Sequence, residues 1–234
     1  MKPRLLLSLL LIFISVCGHS QYRGYLAVSL GPSFPTSDFQ NQDIDSDNAG
    51  IATIGATIDV SIAQKLGDIF GVTAMFRGKT NSTNNKPLLN ELYNQNSNAT
   101  WIVNGDNWDL SGLLFGVLAS FENKSGQTNF ETKAMIGYMD TYSPELNISG
   151  TQSNNSAWLI RNKTYSNAVA YLLGVGIKFE ISHNLCILSN IDYSHTTPEF
   201  VDVFTETSSG NSYLETFKQK IDTFNFLIGI GLKW

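Results

Sequence analysis

The chain has 234 residues, 15 Lys and Arg against 20 Asp and Glu, a formal charge of −5, 42% hydrophobic residues and 15% charged ones. Soluble domains average roughly 25% charged residues, and a spanning helix needs ~20 consecutive apolar residues, so a mean hydropathy of −0.06 excludes a bundle of membrane helices. The acidic balance speaks against a nucleic-acid partner, which needs a basic face; the two cysteines, Cys17 and Cys186, exclude a disulfide framework and a cysteine zinc site.

Residues 1–20 read as a cleaved secretory signal. Lys2 and Arg4 supply a basic start, Leu5 to Val16 an apolar run, and Gly18 and Ser20 the small-x-small pattern that puts the mature start at Gln21. A lipoprotein signal ending at Cys17 is disfavoured because Val16 is not small. Removal of the signal leaves Cys186 as the single thiol, expected to be a buried small hydrophobe.

From Gln21 onward, period-two alternation marks eight strands, each with one apolar face. Tyr22–Pro32 sets Leu26, Val28 and Leu30 against Ala27, Ser29 and Gly31. Ile54–Ile62 sets Ile54, Ala56, Ile58, Val60 and Ile62 against Gly55, Thr57, Asp59 and Ser61, and Phe70–Arg77 repeats the pattern with Phe70, Val72, Ala74 and Phe76. Trp108–Phe121 carries Leu113, Phe115, Val117, Ala119 and Phe121 against Gly112, Leu114, Gly116 and Leu118; Phe130–Thr141 sets Thr132, Ala134, Ile136 and Tyr138 against Glu131, Lys133, Met135 and Gly137. Val169–Glu180 has Val169, Tyr171, Leu173, Val175, Ile177 and Phe179 on its apolar face. Leu185–His195 has Leu185, Ile187, Ile191 and Tyr193 on its own, and the last strand has Phe224, Phe226, Ile228, Ile230, Leu232 and Trp234.

The connections alternate strictly. Ser33–Gly50, Gly78–Asn107, Tyr142–Asn167 and Thr196–Ile221 are long, whereas Ala63–Ile69, Glu122–Asn129 and Ile181–Asn184 are short. An even strand number with every long loop at one end is the pattern of an outer-membrane barrel: short periplasmic turns and long extracellular loops. Lys79–Asn107 alone holds nine Asn, and structureless connections of this length do not suit a compact soluble domain. In a bilayer every backbone polar group must be paired, so a sheet spans only if it closes on itself. The apolar faces then meet lipid, and Asp59, Arg77, Glu131, Lys133, Lys178, Asp192 and Lys233 face the lumen. Their mixed signs predict a salt-bridged, plugged interior, since eight strands leave room only for side chains. Tyr22, Tyr25, Phe70, Tyr138, Tyr142, Phe179, Tyr193, Phe224 and Trp234 fall near strand ends and are expected to form interfacial girdles. A soluble lipocalin-like barrel, the rival fold, would turn its apolar faces inward.

Gly229-Ile230-Gly231-Leu232-Lys233 followed by Trp234, the opening Tyr25-Leu26-Ala27-Val28-Ser29-Leu30-Gly31-Pro32-Ser33-Phe34-Pro35 and the signal end Gly18-His19-Ser20-Gln21 together resemble the porin-family, OmpA-like small outer-membrane barrels of Bacteroidota type. The resemblance covers residues 21–234. It implies an all-β, eight-stranded, antiparallel, up-and-down transmembrane barrel with periplasmic termini. It also implies that Phe224, Phe226, Ile228, Ile230, Leu232 and Trp234 are the signal read by the barrel-assembly machinery. No peptidoglycan-binding domain is expected after Trp234.

Candidate chemistry is sparse. Asp43, Asp45 and Asp47 form a D-x-D-x-D run, but an EF-hand would need Gly and Glu where Asn48 and Ile54 stand, so a solvated acidic loop is expected rather than a metal site. Ser189, Asp192, Ser194, His195 and Thr197 surround one outer strand end. Adjacent Ser194 and His195 point to opposite faces and cannot act together, while His195 and Thr197 share a face without an acid at a persuasive spacing; His183 falls in a short turn. No catalytic residue, metal or cofactor is therefore expected. N-x-S/T at Asn81, Asn98, Asn123, Asn147, Asn154 and Asn162 reflects loop composition. Trp101, Ile102 and Val103, and Trp158, Leu159 and Ile160, are apolar islands in the loops, readable as short strand extensions or as a contact surface. The expectation is a monomeric, non-enzymatic structural or surface-interaction protein working through its loops. Its partners would be outer-membrane lipid and lipopolysaccharide, the assembly machinery and a loop ligand. A narrow channel is the second reading, and a lipid hydrolase centred on His195 the third.

Overall fold

The computed structural model describes residues 24–234 apart from 44, 45, 47, 124–126, 153 and 154. The expected signal, Tyr22, Asp45, Asp47 and Asn154 thus lie outside the described residues. In chain order the elements are β1 (Gly24–Thr36), α1 (Ser37–Gln40), β2 (Ala52–Lys65), β3 (Phe70–Thr83), α2 (Lys86–Gln95), β4 (Thr100–Gly105) and β5 (Trp108–Glu122). They continue with β6 (Thr128–Tyr142), β7 (Leu146–Gln152), β8 (Asn155–Arg161), β9 (Tyr165–Glu180), β10 (Leu185–Thr196), β11 (Glu199–Thr207), β12 (Ser212–Lys218) and β13 (Ile221–Lys233). Eight of these close into a barrel in the order β1-β13-β10-β9-β6-β5-β3-β2, every neighbour antiparallel. Closure is made between the first and last strands, where Tyr25 pairs with Lys233, Leu30 with Ile228 and Thr36 with Asp222.

The alternation in the sequence is read out as an inside and an outside. Leu30, Ile58, Phe115, Ile136, Leu173, Ile191 and Ile230 stand exposed on the outer wall, while Thr57, Asp59, Arg77, Leu114, Met135, Leu172 and Asp192 are buried in the lumen. A belt of exposed apolar side chains on every strand, around a polar interior, is stable only in lipid, and this disposes of the lipocalin-like rival. Ile228 stands mid-belt between Phe224 and Trp234 and is 55% exposed. Ile228→Arg is expected to destabilise the folded barrel by about 2–4 kcal/mol, the cost of a cation at the bilayer midplane. Urea unfolding in lipid vesicles measures it, and an unshifted midpoint would contradict a membrane-facing outer wall.

Beyond the belt the structure departs from the expected boundaries. β3 runs on to Thr83 instead of stopping at Arg77, and β9 starts at Tyr165 instead of Val169, because the barrel wall continues into water, where its outer face no longer has to be apolar. The long connections are not structureless. β4, β7, β8, β11 and β12 form a second sheet in the order β12-β11-β8-β7-β4. The two apolar islands are its strands: Trp101, Ile102 and Val103 lie in β4, and Trp158, Leu159 and Ile160 in β8. Tyr25 is also corrected: it has the parity of the inner face of β1 and is 8% exposed, so it is a lumen residue and not a girdle aromatic.

A bulge in β11 has a packing purpose. The register against β12 slips between Phe200 and Val203, and Asp202 takes a φ of 56°, a left-handed conformation that Asp tolerates better than most residues. The extra residue lets Phe200 and Val203, three apart, both point inward and become fully buried. They join Phe39 of α1 and Trp108 in the apolar layer under the barrel mouth.

Candidate functional site

Among the described residues, polar chemistry gathers in the lumen and at the outer rim by His195, and the second sheet carries exposed apolar side chains outside the belt. In the lumen Arg77 is the centre. Its guanidinium donates to both carboxylate oxygens of Asp59 on β2 (Nε to Oδ1 2.7 Å, Nη2 to Oδ2 2.7 Å) and to both of Asp192 on β10 (Nη1 to Oδ1 and Nη2 to Oδ2, 2.8 Å each). This double fork uses the planar donor geometry that distinguishes Arg from Lys. Lys133 Nζ lies 3.9 Å from Asp192, and Asn225 Nδ2 donates to Asp192 Oδ1 at 2.8 Å. Gly174 makes room here: a Cβ would stand 2.7 Å from Lys133 Cε and 3.0 Å from Asp192 Cβ. Lys79, which sequence reading did not single out, reaches the same layer and donates to Thr223 Oγ1 at 2.9 Å and Ser194 Oγ at 3.4 Å.

Glu131 and Lys178 form a separate group lower in the barrel, 3.5 Å apart, with Tyr25 donating to Glu131 Oε2 at 2.7 Å and Lys178 lying 5.1 Å from the Tyr25 ring centroid. Lys233 pairs with Glu180 instead of either. Cys186 is buried nearby with Tyr25, Ala27, Ala63, Leu118 and Leu188. Leu110, Leu114, Met135, Met139 and Leu172 pack into one buried apolar cluster with Phe39, Trp108 and Phe200, which close the mouth. Phe39 and Trp108 meet edge-on at 5.7 Å, Trp108 and Phe200 at 5.9 Å, and Trp108 Nε1 donates to the Gly50 carbonyl at 3.0 Å. An enclosed void beside Arg77, Lys79 and Leu114 measures about 10 Å³, roughly what one water needs.

At the rim, Ser194 faces inward and bonds Thr223 Oγ1 at 2.8 Å, whereas His195 faces outward. The expectation that His195 has no acid is corrected: Asp222, on neighbouring β13, puts Oδ1 2.6 Å from His195 Nδ1. Thr197 Oγ1 lies 3.1 Å from Nε2 on the other side of the ring. Tyr193 donates to the same Asp222 oxygen, and Tyr171 stacks on the imidazole at 4.7 Å. Asp222 lies 27 residues from its partner and is brought there by strand pairing alone. The signal that would have found it is parity, because the alternation of Phe224, Phe226 and Ile228 carried back one step places a carboxylate on the lipid-facing side. Ser189 stands on the outer wall between Ile187 and Ile191, and His183 is exposed in its turn.

The second sheet draws β4, β7–β8 and β11–β12 from three different long connections. Ile102, Trp158, Val201, Phe204, Tyr213 and Leu214 are exposed on it. Arg161 lies 5.7 Å over the Phe217 ring, where burial pulls its guanidinium below the ordinary value while Glu215 and Tyr213 act in the opposite sense. Lys163 bonds Asp109 Oδ2 at 2.7 Å, which raises its ammonium pKa and ties the β8–β9 connection to the barrel wall. The Phe224 to Trp234 face of β13 is exposed throughout, with Trp234 Nε1 donating to Gln64 Oε1 at 3.1 Å.

No protein-family model and no curated protein matches the chain in sequence. Solved structures match over nearly its whole length. A major outer membrane protein from Thermus thermophilus superposes with a TM-score of 0.51 at 11% identity, covering 92% of this chain and 100% of that one. Ail, the attachment invasion locus protein of Yersinia pestis, gives 0.47 at 10% identity over 92% and 100%, and OprG from Pseudomonas aeruginosa 0.44 at 13% over 91% and 94%. With its closed antiparallel sheet and its apolar outer belt, the chain has the fold of the small eight-stranded outer-membrane β-barrels.

Proposed function

We propose that the protein is a monomeric outer-membrane barrel, closed to solutes and with both termini on the periplasmic side, whose second sheet stands outside the cell as a contact surface. The observation that carries this reading is that three long connections, distant in sequence, hydrogen-bond into one sheet with apolar side chains left exposed on it. Loops that only cap a barrel need no common framework, whereas exposed apolar groups on a braced surface mark interaction sites. In this reading outer-membrane lipid and lipopolysaccharide surround the belt, the assembly machinery reads β13, and the contact itself involves no bond-making step.

The test is retention of Gram-negative cells displaying the full chain on protein-coated and apolar surfaces. Retention is expected to fall about tenfold when Ile102→Ser, Phe204→Ser and Leu214→Ser, three exposed side chains on one face of the sheet, are combined, a loss of roughly 1.4 kcal/mol; retention equal to that of the parent chain would remove the sheet from the contact. The channel reading requires a water path past Arg77, Lys133, Glu131 and Lys178, and the packing around them argues against one. Reconstituted in a planar bilayer, the protein is expected to give no stepwise current. Unit conductance steps would favour the channel.

A further inference from the structure

Asp222 is out of place by every rule of a membrane wall. It shares the outward parity of Phe224, Phe226 and Ile228, yet it is a carboxylate, only 6% exposed and covered by Tyr193 and His195. A buried carboxylate persists where its bonds are satisfied. Here those bonds come from the Tyr193 hydroxyl and His195 Nδ1, both on β10. Donating through Nδ1 leaves Nε2 of the neutral ring as an acceptor, and it points to Thr197 Oγ1 at 3.1 Å. The Tyr171 ring, stacked at 4.7 Å and 26°, holds the imidazole plane. Carboxylate, imidazole and hydroxyl in this order form the arrangement that activates an oxygen nucleophile.

What lies beside it indicates the substrate. The strand register places His195 between Tyr171 and Asp222, and the next row toward the middle of the belt holds Leu173, Tyr193 and Phe224. From that row an open apolar groove of about 500 Å³ runs along the outer wall, where small Ala119, Thr132 and Ala134 on β5 and β6 separate Phe70 on β3 from the larger Leu173, Val175 and Ile191 on β9 and β10. The relay therefore sits at the aromatic interface of the bilayer, above a groove shaped for a hydrocarbon chain. We infer that Asp222, His195 and Thr197 form an acyl-transfer site on the outer wall of the barrel, acting on carboxylic esters of lipids in the surrounding leaflet. This goes beyond the contact role of the second sheet and does not depend on it.

In the reaction, Thr197 Oγ1 gives its proton to His195 Nε2 as it bonds to the ester carbonyl carbon. The adduct collapses with loss of the ester C–O bond, and His195 returns the proton to the departing lipid alkoxide. Water then attacks the acyl-threonine, its proton passing to Nε2 and back to Oγ1, so that ester and water become fatty acid and alcohol. Asp222 holds the tautomer and balances the imidazolium; Tyr193 is a positioning residue.

The experiment uses the full barrel in vesicles of ester-linked phosphatidylethanolamine, in vesicles that also contain lipopolysaccharide, and in ether-linked controls, with released fatty acid measured by mass spectrometry. Release is expected from one of the two ester lipids and not from the ether lipid, and the responding vesicle identifies the source of the ester. His195→Ala and Thr197→Val should lower it about 100- to 10,000-fold, Asp222→Asn should lower it within the same range, and Thr197→Ser should retain it. Each variant is checked for the mobility shift on boiling, which reports a closed barrel independently of activity. Absence of fatty acid from both ester lipids with a closed parent barrel overturns the proposal, as does release by Thr197→Val at the parent rate.

Discussion

Replacing Arg77 by Met is expected to lower barrel stability by about 3–5 kcal/mol, because it leaves two carboxylates buried without the cation that both of them grip. Asp59 and Asp192 lie on opposite sides of one guanidinium that is 1% exposed, so a single substitution uncovers two charges. The contact from Lys133 to Asp192, at 3.9 Å, is too long to replace four bonds of 2.7–2.8 Å. The effect should be largely reversed in Arg77→Met combined with Asp59→Asn and Asp192→Asn, since removing all the charges of a buried cluster is often close to neutral. Urea unfolding in lipid vesicles, followed by loss of the fast-migrating unboiled band, measures both. If the triple variant were as unstable as the single one, shape and not charge would be what Arg77 contributes.

The second large effect is expected at the barrel mouth. Trp108→Ala should cost about 3–5 kcal/mol, the usual range for removing a buried large aromatic, since it withdraws a ring that Phe39 and Phe200 both touch edge-on. The loss should be local in its consequences: α1 and β11 lose their shared anchor and become cleavable by protease added outside the vesicles. Conductance should stay at zero, because the Arg77 layer lies deeper and is untouched. Trp108→Phe keeps the ring contacts but leaves the Gly50 carbonyl without its donor, and should cost only about 1 kcal/mol. Equal losses for Ala and Phe would show that the bond to Gly50, not the aromatic plug, seals the mouth.

How much of this could be read from the chain depends on what each face meets. All eight barrel strands were legible, as was the face of Trp108–Phe121, because lipid on one side and a crowded lumen on the other impose opposite chemistry on neighbouring residues. Past Arg77 the signal fades: Lys79, Thr80, Asn81 and Ser82 belong to a strand whose two faces are both polar. The second sheet was legible only as two apolar islands, since its pairing joins separate connections and leaves no local period. The rim relay was half legible. His195 and Thr197 share a face by spacing, but Asp222 reaches them through the register of two strands, and registers between distant strands are not written in either strand alone.

The pairing of the first strand with the last has a kinetic consequence. Trp234 N donates to the Gly24 carbonyl at 3.2 Å, and Tyr25 lies opposite Lys233, so the final seam joins segments separated by nearly the whole chain. Contacts of such long range form slowly, and until they form both terminal strands present open edges that bind any other strand available. A nascent chain lacking β13 therefore has no closed form in which to wait in the bilayer. Insertion has to follow completion of synthesis, and a chain cut short before Ile221 is predicted to be degraded or aggregated, not stored as a smaller barrel.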